Sequence, residues 1–163
     1  PIWDILMIFI TLGSQKFQFN RLLKKIDEIE INDEIVAQIG YSDYKPKHYK
    51  YAEFLDRDQY SELMGKADIV ITHGGTGAIV GALKKGKKVI AVPRLAKYGE
   101  HVDDHQLQII EQFKEMDLIY ACEDMDLKKA ILIVKNSSYN KYQSNTSTII
   151  NSLKAFIEEL NSD

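Results

Sequence analysis

The sequence has little of what marks the extreme classes of protein. Its 163 residues include one cysteine, so no internal disulfide can form, and Cys122 is interpreted as a small buried residue in a chain from a reducing compartment. The longest apolar run, residues 5–12, is far shorter than the roughly 20 residues that span a bilayer. The net charge of -3 comes from 21 basic and 24 acidic residues that are interspersed, which argues against a nucleic-acid binder.

The composition is that of one globular domain, because 45% of the residues are hydrophobic and can form a core without disulfides or metals. Residues 1–6 contain an acid and no basic stretch, so no signal peptide is predicted there. We interpret 1–6 as an added segment ahead of a natural start at Met7, residues 7–135 as the folded domain, and residues 136–163 as a polar linker with a C-terminal helix.

Strand patterns and helix patterns alternate along the domain. Apolar, β-branched runs predict strands at 7–12, 34–39, 51–55, 68–72, 88–92 and 118–121. Apolar residues at helical spacing predict helices over 20–31, 59–66, from the glycine-rich segment to 85, 104–114 and 127–135. This alternation predicts a single Rossmann-like α/β domain with a parallel sheet and right-handed crossovers.

The C-terminal part of the chain differs in composition. Residues 136–147 are rich in Ser, Asn, Tyr and Thr, and residues 148–160 carry one apolar stripe at helical spacing. The stripe either packs back on the domain, which is the commoner arrangement, or docks a partner through the polar tether.

The segment at 68–86, DIVITHGGTGAIVGALKKG, combines a buried strand, a glycine-rich turn and a helix. Backbone N–H groups at a helix N-terminus attract an anion, glycines let the anion approach, and His73 can donate a hydrogen bond to a phosphoryl oxygen. The spacing fits neither the Walker pattern nor the dinucleotide pattern G-x-G-x-x-G. A phosphate site and a plain strand-to-helix turn both explain these residues.

Two further polar segments follow other predicted strands. Residues 13–15, GSQ, end the first strand, and residues 98–106, YGEHVDDHQ, precede a predicted helix. Since the carboxyl ends of parallel strands share one edge of a sheet, these segments and the glycine-rich turn are expected to converge at a ligand site. Helix capping by Asp103, with Gln106 as the third helical residue, explains part of the second segment. Helix capping does not explain the polar residues Glu100, His101 and His105 in the same segment.

Other chemistries for these residues are less favoured. Metal binding by His73, His101 and His105 lacks a further Cys or His ligand, so no metal is predicted. Ser14 lacks the G-x-S-x-G elbow of a serine hydrolase. Arg94 and Lys97 are interpreted as solvated loop charges.

Three sequence segments carry a family resemblance: ITLGSQKFQFNRLLKKID, ADIVITHGGTG and GEHVDDHQLQ. Together they resemble the C-terminal, nucleotide-sugar-binding half of the GT-B glycosyltransferases, in the branch of family 28 that includes the peptidoglycan N-acetylglucosaminyltransferase. Within it the chain looks most like the catalytic subunit of two-component capsule and exopolysaccharide transferases, which is related to the soluble subunit of the dolichol-linked N-acetylglucosaminyltransferase. The resemblance covers residues 7–121.

The resemblance implies a set of site residues. The first phosphate-facing loop is matched by Gly13, Ser14 and Gln15. The second loop, which binds the pyrophosphate, is matched by His73, Gly74, Gly75, Thr76 and Gly77. Contacts to the donor sugar are matched by His105 and Gln106, with Glu100 and Asp104 as helpers. One position departs: where many relatives have a Glu that holds the ribose hydroxyls, this chain has Gly81.

The resemblance also implies an activity. A UDP-sugar donor would be transferred with inversion to a lipid-linked saccharide acceptor in polysaccharide synthesis, with no cofactor and with His73 stabilising the leaving pyrophosphate. One GT-B lobe is present, so a membrane-associated partner subunit would supply the acceptor lobe and the general base, and would hold the chain at the cytoplasmic face of the membrane. The alternative is a non-catalytic nucleotide-sugar-binding or regulatory module.

Overall fold

The computed structural model describes residues 5–143 and, within the C-terminal segment, positions 151 and 155. The strands are β1 Met7–Thr11, β2 Glu34–Gln38, β3 Lys50–Ala52, β4 Ile69–His73, β5 Lys88–Val92 and β6 Tyr120–Ala121. The helices are α1 Asn20–Asp27, α2 Arg57–Lys66, α3 Thr76–Lys84, α4 His105–Glu115 and α5 Leu127–Lys135. A short 3-10 turn lies at Ala96–Tyr98.

The six strands form one sheet in the order β3-β2-β1-β4-β5-β6, and every neighbouring pair is parallel. The predicted single α/β domain with a parallel sheet is therefore confirmed. Thr11 of β1 lies opposite Gln38 of β2 and Thr72 of β4. From β1 the chain adds β2 and β3 on one side, and from β4 it adds β5 and β6 on the other, so the strand order reverses at the β1–β4 pair. Open α/β sheets bind ligands at the carboxyl ends of the strands at such a point.

Apolar residues cover both faces of the sheet. On one face, Ile8 and Ile10 belong to a core cluster with α1 and α5. On the other, Phe9 and Val70 pack with α2, α3 and α4. Because successive strand residues point to opposite faces, a sheet covered on both sides needs the nearly continuous apolar runs that the sequence has. Within the described residues, none of the helices has the length and apolarity needed to cross a membrane.

Four predicted boundaries differ from the structure by two residues or more. Helix α2 begins at Arg57 rather than at residue 59. Helix α1 ends at Asp27 rather than at residue 31. The predicted helix was too long because Ile29 and Ile31, which lie in the following loop, pack on the core and continue the apolar spacing. Strand β3 ends at Ala52 rather than at residue 55, and the next residues turn towards the carboxyl edge of the sheet. Strand β6 is limited to two residues that pair with β5.

The residues after α5 lie against the domain as far as they are described. Tyr139 packs on the core cluster of the α1–α5 face, and Tyr142 packs on the cluster of the opposite face. Between them, Asn140 donates hydrogen bonds to the carbonyls of Asp117 and Met116. The chain thus crosses from one face of the sheet to the other. The predicted helix at 148–160 lies outside the described residues.

Candidate functional site

A cleft of about 500 Å³ lies at the carboxyl edge of the sheet, between the loops that follow β1 and β4. The predicted site residues that line it are Gly13, Ser14, Gln15, His73, Gly75, Thr76 and Gly77. The residues that line it without having been predicted are Thr11, Gln38, Phe54, Leu55, Tyr60 and Ala78. The cleft therefore brings together the first two of the three predicted segments.

A larger groove of about 960 Å³ lies at the amino ends of β2 and β3. The exposed carboxylates of Glu28, Glu30 and Glu34 are among its lining groups. These charges would repel a phosphate, and the groove is at the opposite edge of the sheet from both glycine loops. We therefore assign the functional site to the smaller cleft.

The loop after β1 is held in place by Gln38. The Gln38 Oε1 accepts hydrogen bonds from the backbone N–H groups of Leu12 and Gly13, each at 3.1 Å. Its Nε2 donates to the Gly13 carbonyl at 2.9 Å. Gly13 has a positive φ of 74°, which favours glycine, and a Cβ there would make a tight contact of 3.1 Å with His73 Nε2.

The loop after β4 leads directly into α3, whose N-terminus opens on the cleft. Within the described residues no side chain caps this helix end, so the N–H groups of its first turn, from Thr76 onward, remain available to an anion. The hydroxyl of Thr76 is buried and has no hydrogen-bond partner in the same part of the chain. At Gly77 a Cβ would meet nothing within 4 Å, so the loop is open on that side.

Two glycines of this loop are needed for packing rather than for ligand access. A Cβ on Gly74 would stand 2.8 Å from Gln106 Cβ, and a Cβ on Gly75 would stand 2.4 Å from His73 Cε1. Contacts below 3.0 Å would force these groups apart. Packing therefore explains Gly74 and Gly75 without the close approach of a phosphate that was the sequence-based reason for all the glycines.

His73 is the last residue of β4 and is 5% exposed. Burial, followed by the positive charge of Arg94, lowers the pKa of His73 to about 3, so its imidazole is neutral at physiological pH. The Nδ1 atom of His73 lies 3.2 Å from Nε2 of Gln106. His73 can thus offer a hydrogen bond to a phosphate but no charge.

The loop between β5 and α4 is held by a buried charge network. Arg94 is 1% exposed, and its guanidinium donates hydrogen bonds to the carbonyls of Leu12 at 2.7 Å and Phe17 at 3.1 Å. The Glu100 carboxylate accepts two hydrogen bonds from Arg21, at 2.9 and 3.0 Å, and is fully buried. The interpretation of Arg94 as a solvated loop charge was therefore wrong.

The residues of this loop that were predicted to contact the donor lie in different environments. Glu100 is buried in its ion pair with Arg21 and does not line the cleft, so we assign it to holding the loop. Asp104 is exposed, and its carboxylate accepts a hydrogen bond from the N–H of Ala96. His105 begins α4 and pairs through Nδ1 with Asp103, beside the cleft rather than in its lining.

The expected capping of α4 was also wrong. The N-cap residue is Asp104, with no side-chain cap bond, and Asp103 instead accepts a hydrogen bond from the N–H of His105, two residues on. The Gln106 side chain does not return to the helix start but reaches the N–H groups of Gly74 and Arg94. Its role is therefore tertiary.

A metal ligand set can be drawn from His101, Asp103 and His105, whose ligand atoms lie within 4.8 Å of one another. The Asp103 carboxylate is already engaged by His105, and the ring of His105 stands edge-on to that of His101 with centroids 4.8 Å apart. These hydrogen bonds and ring contacts account for the cluster. Absence of a metal stays a prediction.

Cys122 is fully buried, and burial raises the pKa of its thiol to about 12. A thiol that stays protonated is a poor nucleophile. The structure therefore agrees with the sequence-based interpretation of Cys122 as a small core residue.

Sequence reasoning missed Gln38 and the wall formed by Phe54, Leu55 and Tyr60. Gln38 lies at the carboxyl end of a predicted strand, where the rule already applied to the other two strands would have selected it. Phe54 and Leu55 were assigned to a strand because their apolar character suits one. Phe54 is 49% exposed, and its ring packs edge-to-face against that of Tyr41, with ring centroids 5.2 Å apart.

Comparisons with known proteins agree with this arrangement. The chain matches the glycosyltransferase family 28 C-terminal domain over residues 7–160. The UDP-N-acetylglucosamine transferase subunit ALG13 of Homo sapiens is 28% identical over 127 residues, which is 71% of this chain and 11% of that protein. ALG13 of Candida glabrata is 29% identical over 121 residues, which is 72% of this chain and 58% of that protein. The chain thus spans less than two thirds of either relative.

Solved structures share the fold at low sequence identity. The glycotransferase of kitacinnamycin superposes with a TM-score of 0.60 at 15% identity, over 95% of this chain and 39% of its own. The solution structure of ALG13 has a TM-score of 0.51 at 16% identity, over 88% of this chain and 90% of its own. The GT-B resemblance stated from the sequence is confirmed, and the family match extends over nearly the whole chain: the protein belongs to the glycosyltransferase family 28 C-terminal domain family.

Proposed function

We propose that the chain binds a UDP-sugar and takes part in transfer of the sugar to an acceptor. The observation that carries this proposal is the cleft at the β1–β4 pair, whose lining combines anion-binding groups with the apolar and aromatic side chains of Phe54, Leu55 and Tyr60. A nucleoside diphosphate has the matching chemistry, a charged diphosphate joined to a flat base. The volume of the cleft, about 500 Å³, is also in the range of small-molecule binding sites.

The groups that line the cleft are of two kinds. The loop at residues 13–15, the N-terminus of α3 and His73 suit the diphosphate, because they present N–H groups and helix dipole without carboxylates. The side chains of Phe54, Leu55 and Tyr60 suit the base, since aromatic and apolar groups stack on its faces. The ligand would thus lie across the loops.

The chemistry follows from where charge develops. Transfer breaks the bond between the anomeric carbon and the diphosphate oxygen, and negative charge grows on that diphosphate. The N–H groups of α3 and the imidazole of His73 would stabilise this charge without proton transfer. The proton of the acceptor hydroxyl must go elsewhere, because the described residues that line the cleft include no carboxylate.

For the donor, UDP-N-acetylglucosamine is the first candidate, because the curated relatives carry that name. Those names do not support the capsule and exopolysaccharide setting that the sequence resemblance implied, which stays a prediction. UDP-galactose and UDP-glucuronic acid are the competing donors.

For the rest of the enzyme we propose a partner subunit, since the two curated relatives are named as subunits and GT-B enzymes have two lobes. A membrane-associated partner that supplies the acceptor lobe, a lipid-linked saccharide acceptor, inversion at the anomeric carbon and a place at the cytoplasmic membrane face all rest on the sequence resemblance. The second candidate function is a nucleotide-sugar-binding module without activity.

The first test is a thermal-shift panel on the purified chain with UDP, UDP-N-acetylglucosamine, UDP-galactose, UDP-glucuronic acid, GDP, ADP and NAD. A ligand present at about 100 times its Kd adds roughly 2.7 kcal/mol of stability. Stabilisation restricted to uridine nucleotides supports the proposal, and stabilisation by another nucleotide alone refutes it.

Transfer is tested with a partner lobe, labelled donor and a lipid-linked acceptor. Loss of the hydrogen bond in His73→Ala should raise the barrier by about 2–4 kcal/mol. Donor binding without any transfer would favour the non-catalytic module.

A further inference from the structure

The side chain of Gln106 joins three elements beneath the cleft. It lies in the first turn of α4 and is 2% exposed. Its Oε1 accepts hydrogen bonds from the backbone N–H of Gly74 at 2.9 Å and from that of Arg94 at 3.0 Å. Its Nε2 lies 3.2 Å from Nδ1 of His73. The amide thus links α4 to the ends of β4 and β5.

These contacts fix which way round the amide is. A backbone N–H can only donate, so the atom that faces two of them must be the oxygen of Gln106. The atom that faces His73 is then the amide nitrogen, which can only donate. Nδ1 of His73 must therefore accept, and it cannot carry a proton.

The ring proton of the neutral His73 is consequently on Nε2. This atom is the His73 atom nearest to Gly13, where a Cβ would stand 3.1 Å from it, whereas a Cβ on Gly75 would stand nearest Cε1, at 2.4 Å, with Nε2 at 3.0 Å. His73, Gly13 and Gly75 all line the cleft. The protonated nitrogen is thus the ring atom nearest to Gly13, in the loop that lines the cleft beside His73.

We propose that Gln106 is a positioning residue, which acts by holding His73 in the tautomer that presents its Nε2–H to the diphosphate. This proposal rests on the proposed function for the identity of the ligand, but its structural half does not. It replaces the contact between Gln106 and the donor sugar that the sequence resemblance implied, because the amide oxygen is buried and already accepts two hydrogen bonds.

The fixed tautomer matters because His73 has no charge to offer. The charged and titratable groups that face it are Arg94 and His101, and both disfavour a second proton on its ring. In the opposite tautomer, the lone pair of Nε2 would face the phosphate oxygens and repel them. One amide therefore decides whether this wall of the cleft attracts or repels the ligand.

Gly74 makes the arrangement sterically feasible. A Cβ at this position would stand 2.8 Å from Cβ of Gln106 and 2.9 Å from Cδ1 of Ile110, both on α4. Only a glycine lets the first turns of α4 approach the end of β4 closely enough for the amide to span both. The Gly74–Gln106 pair is thus one structural unit.

The first experiment reads the tautomer in the unmodified chain. Long-range ¹H–¹⁵N correlation spectra distinguish a protonated ring nitrogen from an unprotonated one, and the chain has four histidines, so a His73→Gln spectrum identifies the His73 signals. We expect a protonated Nε2 and an unprotonated Nδ1. The reverse pattern, or an equal mixture, overturns the proposal whether or not the chain binds a nucleotide.

The second experiment reverses the tautomer with Gln106→Glu. The introduced carboxylate keeps the shape of the side chain and still accepts from the two backbone N–H groups, but it also accepts from His73, which moves the ring proton to Nδ1. We expect UDP and UDP-N-acetylglucosamine to bind roughly 10-fold or more weakly at pH 8 by calorimetry, and equally so. Uridine, which has no phosphate, should bind as before.

The pH dependence separates this effect from altered packing. In Gln106→Glu, UDP-N-acetylglucosamine should bind more tightly as the pH falls from 8 to 6.5, because a second ring proton restores the Nε2–H. The matched control is Gln108→Glu, which adds the same charge at an exposed position of α4 and should behave as the unmodified chain. Weakening confined to the UDP-sugar would instead show that Gln106 touches the sugar, and would refute the proposal.

Discussion

His73 lies where a phosphate is expected, yet its imidazole is neutral. A cation there would be buried next to Arg94, so the structure uses an oriented N–H group and backbone amides in place of charge. A neutral N–H group binds the phosphate of the ground state less strongly than a cation would. It also keeps its hydrogen-bonding state constant over the physiological pH range, because its pKa of about 3 lies far below that range.

The low pKa of His73 predicts loss of stability in acid. The unfolded chain takes up a proton near pH 6.5, whereas the folded chain does not until about pH 3, so the free energy of unfolding falls as the pH drops below 6.5. Between pH 7.5 and 5 this group should remove about 2 kcal/mol. Urea unfolding of the unmodified chain and of His73→Gln at both pH values should show that the variant loses about this much less.

The control for this prediction is His48→Gln, since the side chain of His48 is 74% exposed. It should keep the acid sensitivity of the unmodified chain. Equal pH dependence in His73→Gln and the unmodified chain would mean that His73 is not held neutral by the fold.

Gly81 offers a second prediction at the scale of one residue. It lies one helical turn after Ala78, which lines the cleft, and a Cβ there would meet nothing within 4 Å. Gly81→Glu and Gly81→Ala should therefore each stabilise α3 by about 0.5–1 kcal/mol, because glycine is a poor helix residue. If the carboxylate found in relatives holds the ribose, only Gly81→Glu should also tighten UDP binding, by about 10-fold. Calorimetry that gives equal affinities for the two variants would contradict the ribose contact.

Site residues that act through their backbone could be predicted from the sequence, and those that act through a side chain mostly could not. The loops at residues 13–15 and 73–77 have a sequence signature, since strand, glycine and helix start follow in order. Gln38 is marked only by its place at the carboxyl end of a predicted strand, and the contacts of Gln38 and Gln106 have no sequence signature, because the glycines they hold lie 25 and 32 residues away. Their roles follow only from the register of the sheet and the approach of α4.

At the scale of elements, the loop between β5 and α4 is braced against α1. Arg21 of α1 binds Glu100 with two hydrogen bonds, and the N–H of Leu95 donates to the same carboxylate at 3.0 Å. The ring of Tyr98 lies under the guanidinium of Arg21, 4.6 Å from its centre. This ion pair fixes the loop that carries His101, and the helix that carries Gln106 follows directly.

Glu100→Gln tests this brace. The amide keeps one acceptor atom but loses the charge that balances Arg21 and the buried Arg94, so the free energy of unfolding should fall by about 1–3 kcal/mol. The matched control is Glu28→Gln, whose exposed pair with Lys25 should contribute less than about 1 kcal/mol. Unchanged stability with weaker donor binding would return Glu100 to the donor contacts that the family resemblance implied.

The elements themselves were largely predictable because both faces of the sheet are covered. β5 and α5 have the predicted bounds, since apolar runs closed by Pro93 and by polar residues leave little choice. α1 was predicted too long because Ile29 and Ile31 contribute to the core without a helical backbone. Apolar spacing reports burial, and burial continues where a helix has ended.

At the scale of the whole molecule, the described residues form one lobe whose cleft lies at the carboxyl edge of the sheet. The carboxyl edge of the sheet carries the glycine loops and the apolar wall, and the described lining includes no carboxylate to accept the acceptor's proton. A second lobe facing this edge would complete both the acceptor site and the proton acceptor. The proposed partner, which rests on the subunit names of two relatives, would supply this group.

The limits of the folded unit give a prediction for the whole chain. A version ending at residue 143 keeps the packing of Tyr139 and Tyr142 and the hydrogen bonds of Asn140, whereas a version ending at residue 135 loses all of them. The shorter version should lose about 2–4 kcal/mol of stability, since it exposes the core that two half-buried tyrosines cover. Urea unfolding of both versions measures this difference.

The same pair of versions tests where a partner docks. If residues 144–163 form the docking segment, the version ending at 143 should bind UDP with unchanged affinity by calorimetry and yet fail to co-purify with the partner subunit. Retained co-purification would place the docking surface on the described domain instead. Loss of both properties would mean that the C-terminal segment is needed for the fold of the cleft, whose described lining residues all lie between Thr11 and Ala78.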